Sequence, residues 1–351
     1  MNDTINVMQS AEILDLDPAT VRKRIKSGEL PTLKTGRKSI ITPVALQYYK
    51  FVNEHKKTLE TIKTSAKLIS FVNHKGGCSK TTSAYTMASL LEKFGNKVLL
   101  VDLDPQGNST RTVLDPIVNE DGIILPYPKT IKDLLLDRKQ NGEIGINRIK
   151  EVIRESKFGF DTIPCDLSLN AIMSDLENSS FKEVILKELL AEIESEYDYI
   201  LLDTPPTLGF SVVSALTASD YVIIVTLAEA YSILGVEQTV SLANTVKTQN
   251  SVLANPKDIK LLGTIISKAE MNTNVSKYFV DELKEFTKNL DITLWDDFII
   301  PKTTKIPETQ ATGELITDAF PKELAALNYF NIAMLIDIEV KKDRIKEKLS
   351  N

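Results

Sequence analysis

The chain has 351 residues, which is enough for two domains that each bury an apolar core. Its apolar runs are too short to cross a membrane, and its acidic, polar start, MNDTINVMQSAEILD, does not resemble a secretory signal. Two cysteines and two histidines exclude a disulfide framework, a histidine-based metal site and a catalytic triad. We therefore expect a protein of the reducing cytoplasm.

Charge is distributed unevenly along the chain. Residues 1–67 hold 12 Lys and Arg against 7 Asp and Glu, whereas the remaining residues hold 30 against 41. The two balances are +5 and −11, which together give the net charge of −6. This asymmetry predicts a basic N-terminal module joined to an acidic body.

The basic N-terminal segment has the pattern of two short helices followed by a hairpin. Ser10 is a candidate N-cap for a helix AEILD, and Asp17 with Pro18 opens a second helix, ATVRKRIKSG, which ends at Gly28. Two short helices joined by a tight turn make a helix-turn-helix. The following stretch, LPTLKTGRKSIITP, predicts a small hairpin or wing that turns at Gly36.

This segment is similar to the helix-turn-helix of the MerR and excisionase families, whose second helix faces the DNA groove. The resemblance makes six side chains candidates for DNA contacts: Thr20, Arg22, Arg24, Lys34, Arg37 and Lys38. A small basic domain that serves only protein contacts is the alternative. Residues 45–67 then predict a helix with an apolar start and a lysine-rich end, which is a linker or a dimerisation arm.

A buried strand, a glycine turn and a helix follow one another in LISFVNHKGGCSKTTSAYTMASLLEKFG, from residue 68 onward. In this arrangement backbone N–H groups and the helix dipole converge on a phosphate. Gly76 and Gly77 can take positive φ, which lets the backbone approach the anion. Lys80 can reach the β- and γ-phosphates, and the Thr81 hydroxyl can ligate Mg²⁺. The alternative is a glycine turn that only joins a core strand to a core helix.

Three aspartates close predicted buried strands. Asp102 and Asp104 follow the strand at residues 98–101, and Asp203 follows the strand at residues 199–202. Because the C-terminal ends of parallel strands meet at one edge, these carboxylates suit Mg²⁺–water ligation and the orientation of an attacking water. Turn formation by Asp-Pro-Gln-Gly and helix capping by Asp203 are the alternatives.

Strands alternate with helices from residue 68 onward, which is typical of an α/β fold. We predict a doubly wound, mostly parallel sheet preceded by the small helix-turn-helix domain. The last helix, PKELAALNYFNIAMLIDIEV, has an apolar stripe. Asp337 and Glu339 within it favour a core helix with a solvated tail over a helix that binds membrane.

The phosphate loop departs from the ordinary G-x-x-x-x-G-K-[ST] pattern in a specific way. His74 and Ser79 stand where glycines belong, and an additional lysine, Lys75, precedes the glycine pair. This pattern resembles the deviant Walker A motif of the ParA/MinD family of P-loop NTPases, which usually has glycine where Ser79 stands. The segments D-x-D-P-Q-G-N, DTPP and FIIPKTTKIPETQATG are similar to further segments of that family, so the resemblance covers residues 68–335.

The resemblance implies a role for each matching residue. The implied catalytic residues are Lys75, which reaches across a dimer to the partner's nucleotide, Lys80 on the phosphates and Asp104, which orients the attacking water. The implied metal-binding residues are Thr81, Asp102 and Asp203. The implied nucleotide-binding residues are Lys75, Gly76, Gly77, Cys78, Ser79, Lys80, Thr81, Thr82 and Pro301, with Pro301 against the base.

The resemblance also implies the function of a ParA-type partition ATPase in the cytoplasm, associated with the nucleoid. ATP and Mg²⁺ are the expected cofactors, and ATP is expected to assemble a homodimer that binds DNA without sequence preference. A centromere-binding ParB-type partner is expected to accelerate hydrolysis and release the dimer. Candidates for the nonspecific DNA surface are Lys268, Lys277, Lys302 and Lys305.

Three domains follow from these assignments. They are a helix-turn-helix DNA-binding domain at residues 1–50, a helical linker at 51–67 and a ParA-like ATPase domain at 68–351. Operator binding by the first domain would add autorepression. Two alternatives remain open, a transcriptional regulator whose operator affinity is tuned by nucleotide and a MinD-like ATPase that cycles on and off a membrane.

Overall fold

The computed structural model describes residues 4–36, 38–62, 65–178, 184–207, 209–253 and 257–350. The helices in these ranges are α1 (Val7–Leu14), α2 (Pro18–Lys26), α3 (Pro43–Glu54), α4 (Lys56–Glu60), α5 (Lys80–Lys93), α6 (Asn108–Val113), α7 (Ile131–Asn141), α8 (Ile146–Lys150), α9 (Asn170–Glu177), α10 (Ile185–Ala191), α11 (Phe210–Ala218), α12 (Ser232–Asn250), α13 (Asn274–Asn289), α14 (Lys305–Thr312), α15 (Ile316–Ala319) and α16 (Leu324–Ser350). The strands are β1 (Leu33–Thr35), β2 (Lys38–Ile40), β3 (Lys67–Val72), β4 (Val98–Asp102), β5 (Ile117–Val118), β6 (Ile124–Leu125), β7 (Arg154–Glu155), β8 (Asp161–Ile163), β9 (Tyr199–Asp203), β10 (Tyr221–Leu227) and β11 (Lys260–Ser267).

Seven strands form one sheet in the order β11-β10-β3-β9-β4-β8-β7. All neighbouring pairs are parallel except β7 with β8. The predicted doubly wound, mostly parallel sheet is therefore confirmed, and the short antiparallel edge strand β7 was not predicted. The phosphate-loop strand β3 lies between β10 and β9, near the centre of the sheet.

The central strands are buried on both faces because their side chains are almost all apolar. One face is covered by α5 and α16, and the other by α7, α10, α11 and α12. In the register of β4 with β9, Asp102 lies opposite Asp203. Both strands thus bring their terminal carboxylates to the same edge of the sheet.

The N-terminal segment forms two helices and a hairpin. Helix α1 begins earlier than predicted, because Asn6 caps it in a box with Gln9. The assignment of Ser10 as the N-cap is wrong, since Ser10 is inside the helix and its hydroxyl donates to the Asn6 carbonyl at 2.8 Å. Asp17 caps α2 ahead of Pro18, as predicted, and β1 pairs with β2 in the hairpin.

Helix α3 crosses the predicted boundary at residues 50 and 51 and packs along α16. Thr42, its N-cap, donates to Asn331 at 2.7 Å, and the Tyr48 hydroxyl donates to Asp337 at 2.5 Å. Apolar side chains of the N-terminal segment share one core cluster with α5 and α16. The division into domains at 1–50, 51–67 and 68–351 stays a prediction, and contacts between the segment and the body are extensive.

Helix α16 is buried along most of residues 325–340, and its last turns are more exposed. The prediction of a core helix with a solvated tail is confirmed. None of the helices in the described part of the chain combines the length and the apolar character that crossing a membrane requires. Between β4 and α7, β5 and β6 pair in a short antiparallel hairpin.

Candidate nucleotide-binding site

The loop between β3 and α5 is held in the conformation of an anion cradle. Gly77 has φ +75° and Ser79, the N-cap of α5, has φ +69°. The left-handed backbone at Ser79 costs a residue with a side chain about 1 kcal/mol, which accounts for the family's usual glycine. The expectation of positive φ at Gly76 is wrong. A Cβ on Gly76 would instead contact the Pro206 side chain at 3.8 Å.

A cavity of about 520 Å³ opens directly above this loop. That volume lies within the range of small-molecule sites in proteins. It is lined by Gly77, Cys78, Ser79, Lys80, Thr81, Thr82, Asp104, Gln106, Asn108, Thr204, Pro206, Lys268, Pro301, Lys302, Thr303, Ile306, Pro307 and Gln310. The structure thus brings most of the predicted nucleotide-binding residues to one place, including Pro301, which lies more than 200 residues after the loop.

The two lysines of the loop have different surroundings. Lys80 is only 6% exposed, and its ammonium group donates to the Lys75 carbonyl at 3.3 Å inside the cavity. Lys75 lies outside the cavity lining, and its Nζ is 3.3 Å from Oε1 of Glu229. Lys80 is therefore placed for the phosphates of its own chain, whereas Lys75 faces outward.

Asp203 lies beneath the loop and is fully buried. Ser109 donates to its Oδ2 at 2.6 Å, while Oδ1 has no hydrogen-bond partner among the described residues. Burial raises the pKa of Asp203, the hydroxyls of Ser109 and Thr81 lower it, and the charge of Asp104 raises it further. A buried carboxylate with one unpartnered oxygen is costly unless a cation or water completes it.

Asp102 and Asp104 differ in how their oxygens are used. Asp102 is fully buried, and it accepts from the Asp104 N–H at 3.1 Å and from the Thr110 N–H and hydroxyl at 2.9 and 2.7 Å. Burial first, and then the charge of Asp203, raises the pKa of Asp102. Asp104 instead lines the cavity and accepts from the Gln106 N–H at 2.9 Å. Of this pair, Asp104 is therefore the carboxylate that can meet a ligand, with Asp102 behind it.

The residues present fit a magnesium ion. The unpartnered Oδ1 of Asp203 and the Thr81 hydroxyl are hard oxygen donors, which Mg²⁺ prefers. No group of three or more His, Cys, Asp and Glu that could hold a metal occurs in the described part of the chain. Mg²⁺ is often bound by one or two protein oxygens together with waters and phosphate oxygens, so the oxygens of Asp203 and Thr81 would be sufficient protein ligands.

The far wall of the cavity is built by residues that are distant in sequence. After β11 the chain pairs with residues 300–302, through Ala269 N–H to the Ile300 carbonyl at 3.2 Å and Lys302 N–H to the Ala269 carbonyl at 3.0 Å. This pairing holds Pro301 at the cavity. Gln310, on α14, donates to the Thr82 hydroxyl at 2.9 Å.

Gln310, Asn108 and Lys268 line the cavity, although none of them was predicted as a nucleotide-binding residue. Lys268 was a candidate for the DNA surface, but its ammonium group donates to the Gly77 carbonyl in the loop at 2.8 Å. No local pattern identifies Gln310 or Lys268, because each reaches the loop only through the packing of the sheet. Asn108 is the last residue of the D-x-D-P-Q-G-N segment, but no contact with the nucleotide was predicted for it.

The candidate DNA-binding residues differ in exposure and in their hydrogen-bond or ion-pair partners. Arg22 and Lys38 are exposed, and Lys34 donates to Ser39 at 3.0 Å across the hairpin. Thr20 is held by the N-cap Asp17, and Arg24 pairs with Glu29. Arg37 lies outside the described residues. Exposed basic side chains on α2 are Arg22, Lys23 and Lys26.

Among the other predicted surface lysines, two are paired with carboxylates. Lys302 pairs with Glu270, and Lys305 pairs with Glu308 at 2.8 Å. Lys277 is exposed on α13. With Lys268 engaged by the phosphate loop, these four lysines do not form a free basic surface in this conformation.

Comparison with known proteins identifies the family. A family model described as an AAA domain (AAA_31) matches residues 66–257, which is more than half of the chain. The sporulation initiation inhibitor protein Soj of Bacillus subtilis is 31% identical over 267 residues, which are 76% of this chain and 96% of that protein. The chromosome partitioning protein ParA of Myxococcus xanthus is 28% identical over 72% of this chain and 81% of that protein.

A comparison with solved structures finds proteins with a similar fold. The structure of cobyrinic acid a,c-diamide synthase from Mycobacterium smegmatis with bound ADP and magnesium has a TM-score of 0.57 at 25% identity. It covers 76% of this chain and 92% of that chain. Since the match to Soj extends over almost that whole protein and the parallel sheet agrees with this fold, the chain belongs to the ParA family of P-loop ATPases.

Proposed function

We propose that this protein is a DNA-partition ATPase that dimerises on ATP, binds DNA nonspecifically and is released by partner-stimulated hydrolysis. The observation that carries the proposal is the pair of loop lysines. Lys80 lies in the cavity of its own chain, and Lys75 projects away from it toward Glu229. A phosphate loop with one lysine inward and one outward suits a nucleotide shared between two chains.

Each residue around the cavity has a separate role in phosphoryl transfer. Lys80 and the N–H groups of residues 77–82 bind the phosphates, and Thr81 and Asp203 hold Mg²⁺ through an oxygen or a water. Magnesium, when bound, neutralises charge on the β- and γ-phosphate oxygens. Asp104 accepts a proton of the attacking water and orients it for in-line attack. Pro301 packs against the base.

Dimerisation would move Lys75 from Glu229 to the partner's phosphates. The Lys75–Glu229 pair is partly exposed, so breaking it costs less than about 1 kcal/mol. A phosphate offers a stronger, charge-assisted interaction in a desolvated interface. The two chains therefore associate only when nucleotide is present.

DNA contacts are proposed for two surfaces. The exposed cations of α2 and the β1–β2 hairpin, among them Arg22 and Lys38, suit an operator. The nonspecific surface is a property of the ATP-bound dimer. A centromere-binding ParB-type protein is the proposed partner that triggers hydrolysis on the nucleoid.

The proposal is tested by the mass of the protein in solution with Mg·ATP, measured by light scattering. Wild-type protein is expected to dimerise with Mg·ATP and to stay monomeric with Mg·ADP. Lys75→Ala is expected to bind ATP and remain monomeric, whereas Lys288→Ala, an exposed lysine on α13, behaves as the wild type. A nucleotide-dependent dimer of Lys75→Ala would contradict the role given to Lys75.

A transcriptional regulator tuned by nucleotide is the second candidate. It is favoured by the shared core of the N-terminal segment with α5 and α16, through which nucleotide state could reach α2. DNA footprinting of the full chain separates the candidates, since a regulator protects only an operator and a partition ATPase also coats unrelated DNA with ATP. Arg22→Ala is expected to weaken operator protection alone. The buried packing of α16 disfavours the MinD-like alternative, which liposome sedimentation tests.

A further inference from the structure

Three carbonyl groups of the phosphate loop accept hydrogen bonds from side chains. The Lys75 carbonyl accepts from Lys80, the Gly77 carbonyl accepts from Lys268 at 2.8 Å, and the Cys78 carbonyl accepts from Ser267 at 2.7 Å. Because each peptide group is rigid, fixing a carbonyl on one side fixes the neighbouring N–H on the other. The loop is thereby set in its anion-binding form before nucleotide arrives.

Two of these three donors come from consecutive residues at the end of β11. Ser267 is fully buried as the last residue of the strand, and Lys268 follows it with φ +52°. That left-handed conformation is uncommon for lysine and costs about 1 kcal/mol. It directs the lysine toward the loop while the next residue, Ala269, pairs with the segment that carries Pro301. Strain at such a position is often found at functional sites.

The charge of Lys268 is available to a ligand. Lys302, which also lines the cavity, is paired with Glu270, whereas Lys268 has no carboxylate within ion-pair distance in the described ranges. Its partner is a neutral carbonyl at the edge of the cavity. A cation in this position lowers the energy of phosphate groups in the loop.

We propose that Lys268 is a positioning residue of the phosphate loop that also brings a second cation of the same chain to the nucleotide phosphates. The inference rests on the proposed function, since it concerns the same nucleotide site. It assigns to the residue directly after β11 a role in binding the β- and γ-phosphates, in addition to the residues of the loop motif.

The test compares the Mg·ATP affinity of the full chain in Lys268→Asn, Lys268→Arg and wild type by calorimetry. Asparagine tolerates positive φ, so Lys268→Asn is expected to unfold at the wild-type temperature without nucleotide. Its affinity for Mg·ATP is expected to be about tenfold lower, because a charged donor is lost. Lys268→Arg keeps the charge and donors and is expected to lie within about twofold of wild type. Lys288→Asn, on the exposed end of α13, is the matched control.

Three results would overturn the inference. They are wild-type affinity in Lys268→Asn, failure of Lys268→Arg to restore affinity, and an affinity loss accompanied by a lower unfolding temperature of the nucleotide-free protein. The last result would show a purely structural role. If wild-type protein itself does not bind Mg·ATP, the proposed function fails with this inference. If it binds and Lys268→Asn binds equally well, the inference fails alone.

Discussion

Two buried aspartates, Asp203 on β9 and Asp337 on α16, lie near opposite ends of β9 and differ in how their oxygens are partnered. Asp203 ends β9 directly before Thr204, which lines the cavity, and one oxygen of Asp203 has no partner in the part of the chain that the structure describes. Asp337, on α16, lies near the other end of β9. It accepts from Tyr48 at 2.5 Å, from Tyr199 at 2.6 Å and from Lys341.

Their pKa values shift in opposite directions for this reason. Burial raises the pKa of Asp203, and two hydroxyls only partly offset it. Burial also acts to raise the pKa of Asp337, but the charge and hydrogen bond of Lys341, with the two tyrosines, bring it below the ordinary value of 3.8. A carboxylate completed by its own protein supports the fold, whereas an incomplete one indicates a site for a cation.

The largest expected effect is a loss of Mg·ATP affinity when Lys80, in the nucleotide cavity at the C-terminal end of the parallel strands, is removed. Lys80→Ala deletes the buried ammonium group in the cavity, and Mg·ATP affinity is expected to fall about hundredfold or more. Without nucleotide, the unfolding temperature should change little, since within the described ranges Lys80 donates only to a loop carbonyl and a sulfur. Calorimetric titration and thermal unfolding measure the two quantities.

Lys341→Ala is the matched variant beside Asp337, near the other end of β9. It removes the charge that completes Asp337, so it is expected to lower the free energy of unfolding and to leave Mg·ATP affinity within about twofold. Retained ATP affinity in Lys80→Ala, or lost affinity in Lys341→Ala, would contradict the view that the cavity residues bind nucleotide and the residues around Asp337 only stabilise the fold.

The hydrolysis step gives the next largest effect. Asp104→Ala is expected to bind Mg·ATP and dimerise, and to hydrolyse ATP about a hundredfold more slowly with DNA and the partner present. Asp115→Ala, an exposed aspartate further along the chain, serves as the control. Wild-type turnover in Asp104→Ala would place the water-orienting role elsewhere.

The nucleotide edge could be predicted in large part because its signals are local. The loop, the D-x-D turn and Asp203 each combine an apolar strand with polar residues that directly follow it. The conformation of Ser79 could be inferred from the position of glycine in the family motif. Lys268 and Gln310 could not be predicted, because they meet Gly77 and Thr82 across 191 and 228 residues of sequence.

The contacts of Asp337 with Tyr48, Tyr199 and Lys341 could hardly be predicted from the sequence. Tyr48 appeared as part of a linker or arm because its partner Asp337 lies 289 residues away. The apolar start of that helix indicated burial, but nothing in the sequence indicated the surface that would cover it. Asp337 favoured a core helix, in agreement with the burial of α16, while its three donors became visible only in the packed structure.

A smaller effect is expected from neutralising Asp337. Asp337→Asn keeps the shape but removes the charge that Lys341 and two tyrosines complete, and it should lower the free energy of unfolding by about 2 kcal/mol. Glu339, two residues after Asp337 on the same helix, forms a surface pair with Lys342, and Glu339→Gln should cost less than about 0.5 kcal/mol. Chemical denaturation compares them, and equal losses would contradict the assignment of Asp337 as a structural carboxylate.

The two aspartates also predict different responses to pH. The folded-state pKa of Asp337 is below 3.8, so its contribution is present above that value and is lost only as pH falls through the folded pKa. The folded-state pKa of Asp203 is raised, so ionisation of Asp203 destabilises the nucleotide-free protein as pH rises above 3.8. Between about pH 5 and pH 7, Asp203→Asn should therefore gain stability relative to wild type, and the effect of Asp337→Asn should stay constant.

The most direct measurement is the free energy of unfolding of wild type and Asp203→Asn, with and without Mg·ATP, at about pH 7. Replacing an incomplete buried carboxylate by a neutral amide is expected to stabilise the nucleotide-free protein by about 1 kcal/mol. The same replacement is expected to remove most of the stabilisation that Mg·ATP gives the wild type, because a magnesium-binding oxygen is lost. An Asp203→Asn protein that is less stable without nucleotide, or that keeps the full response to Mg·ATP, would contradict a magnesium–nucleotide site at this edge.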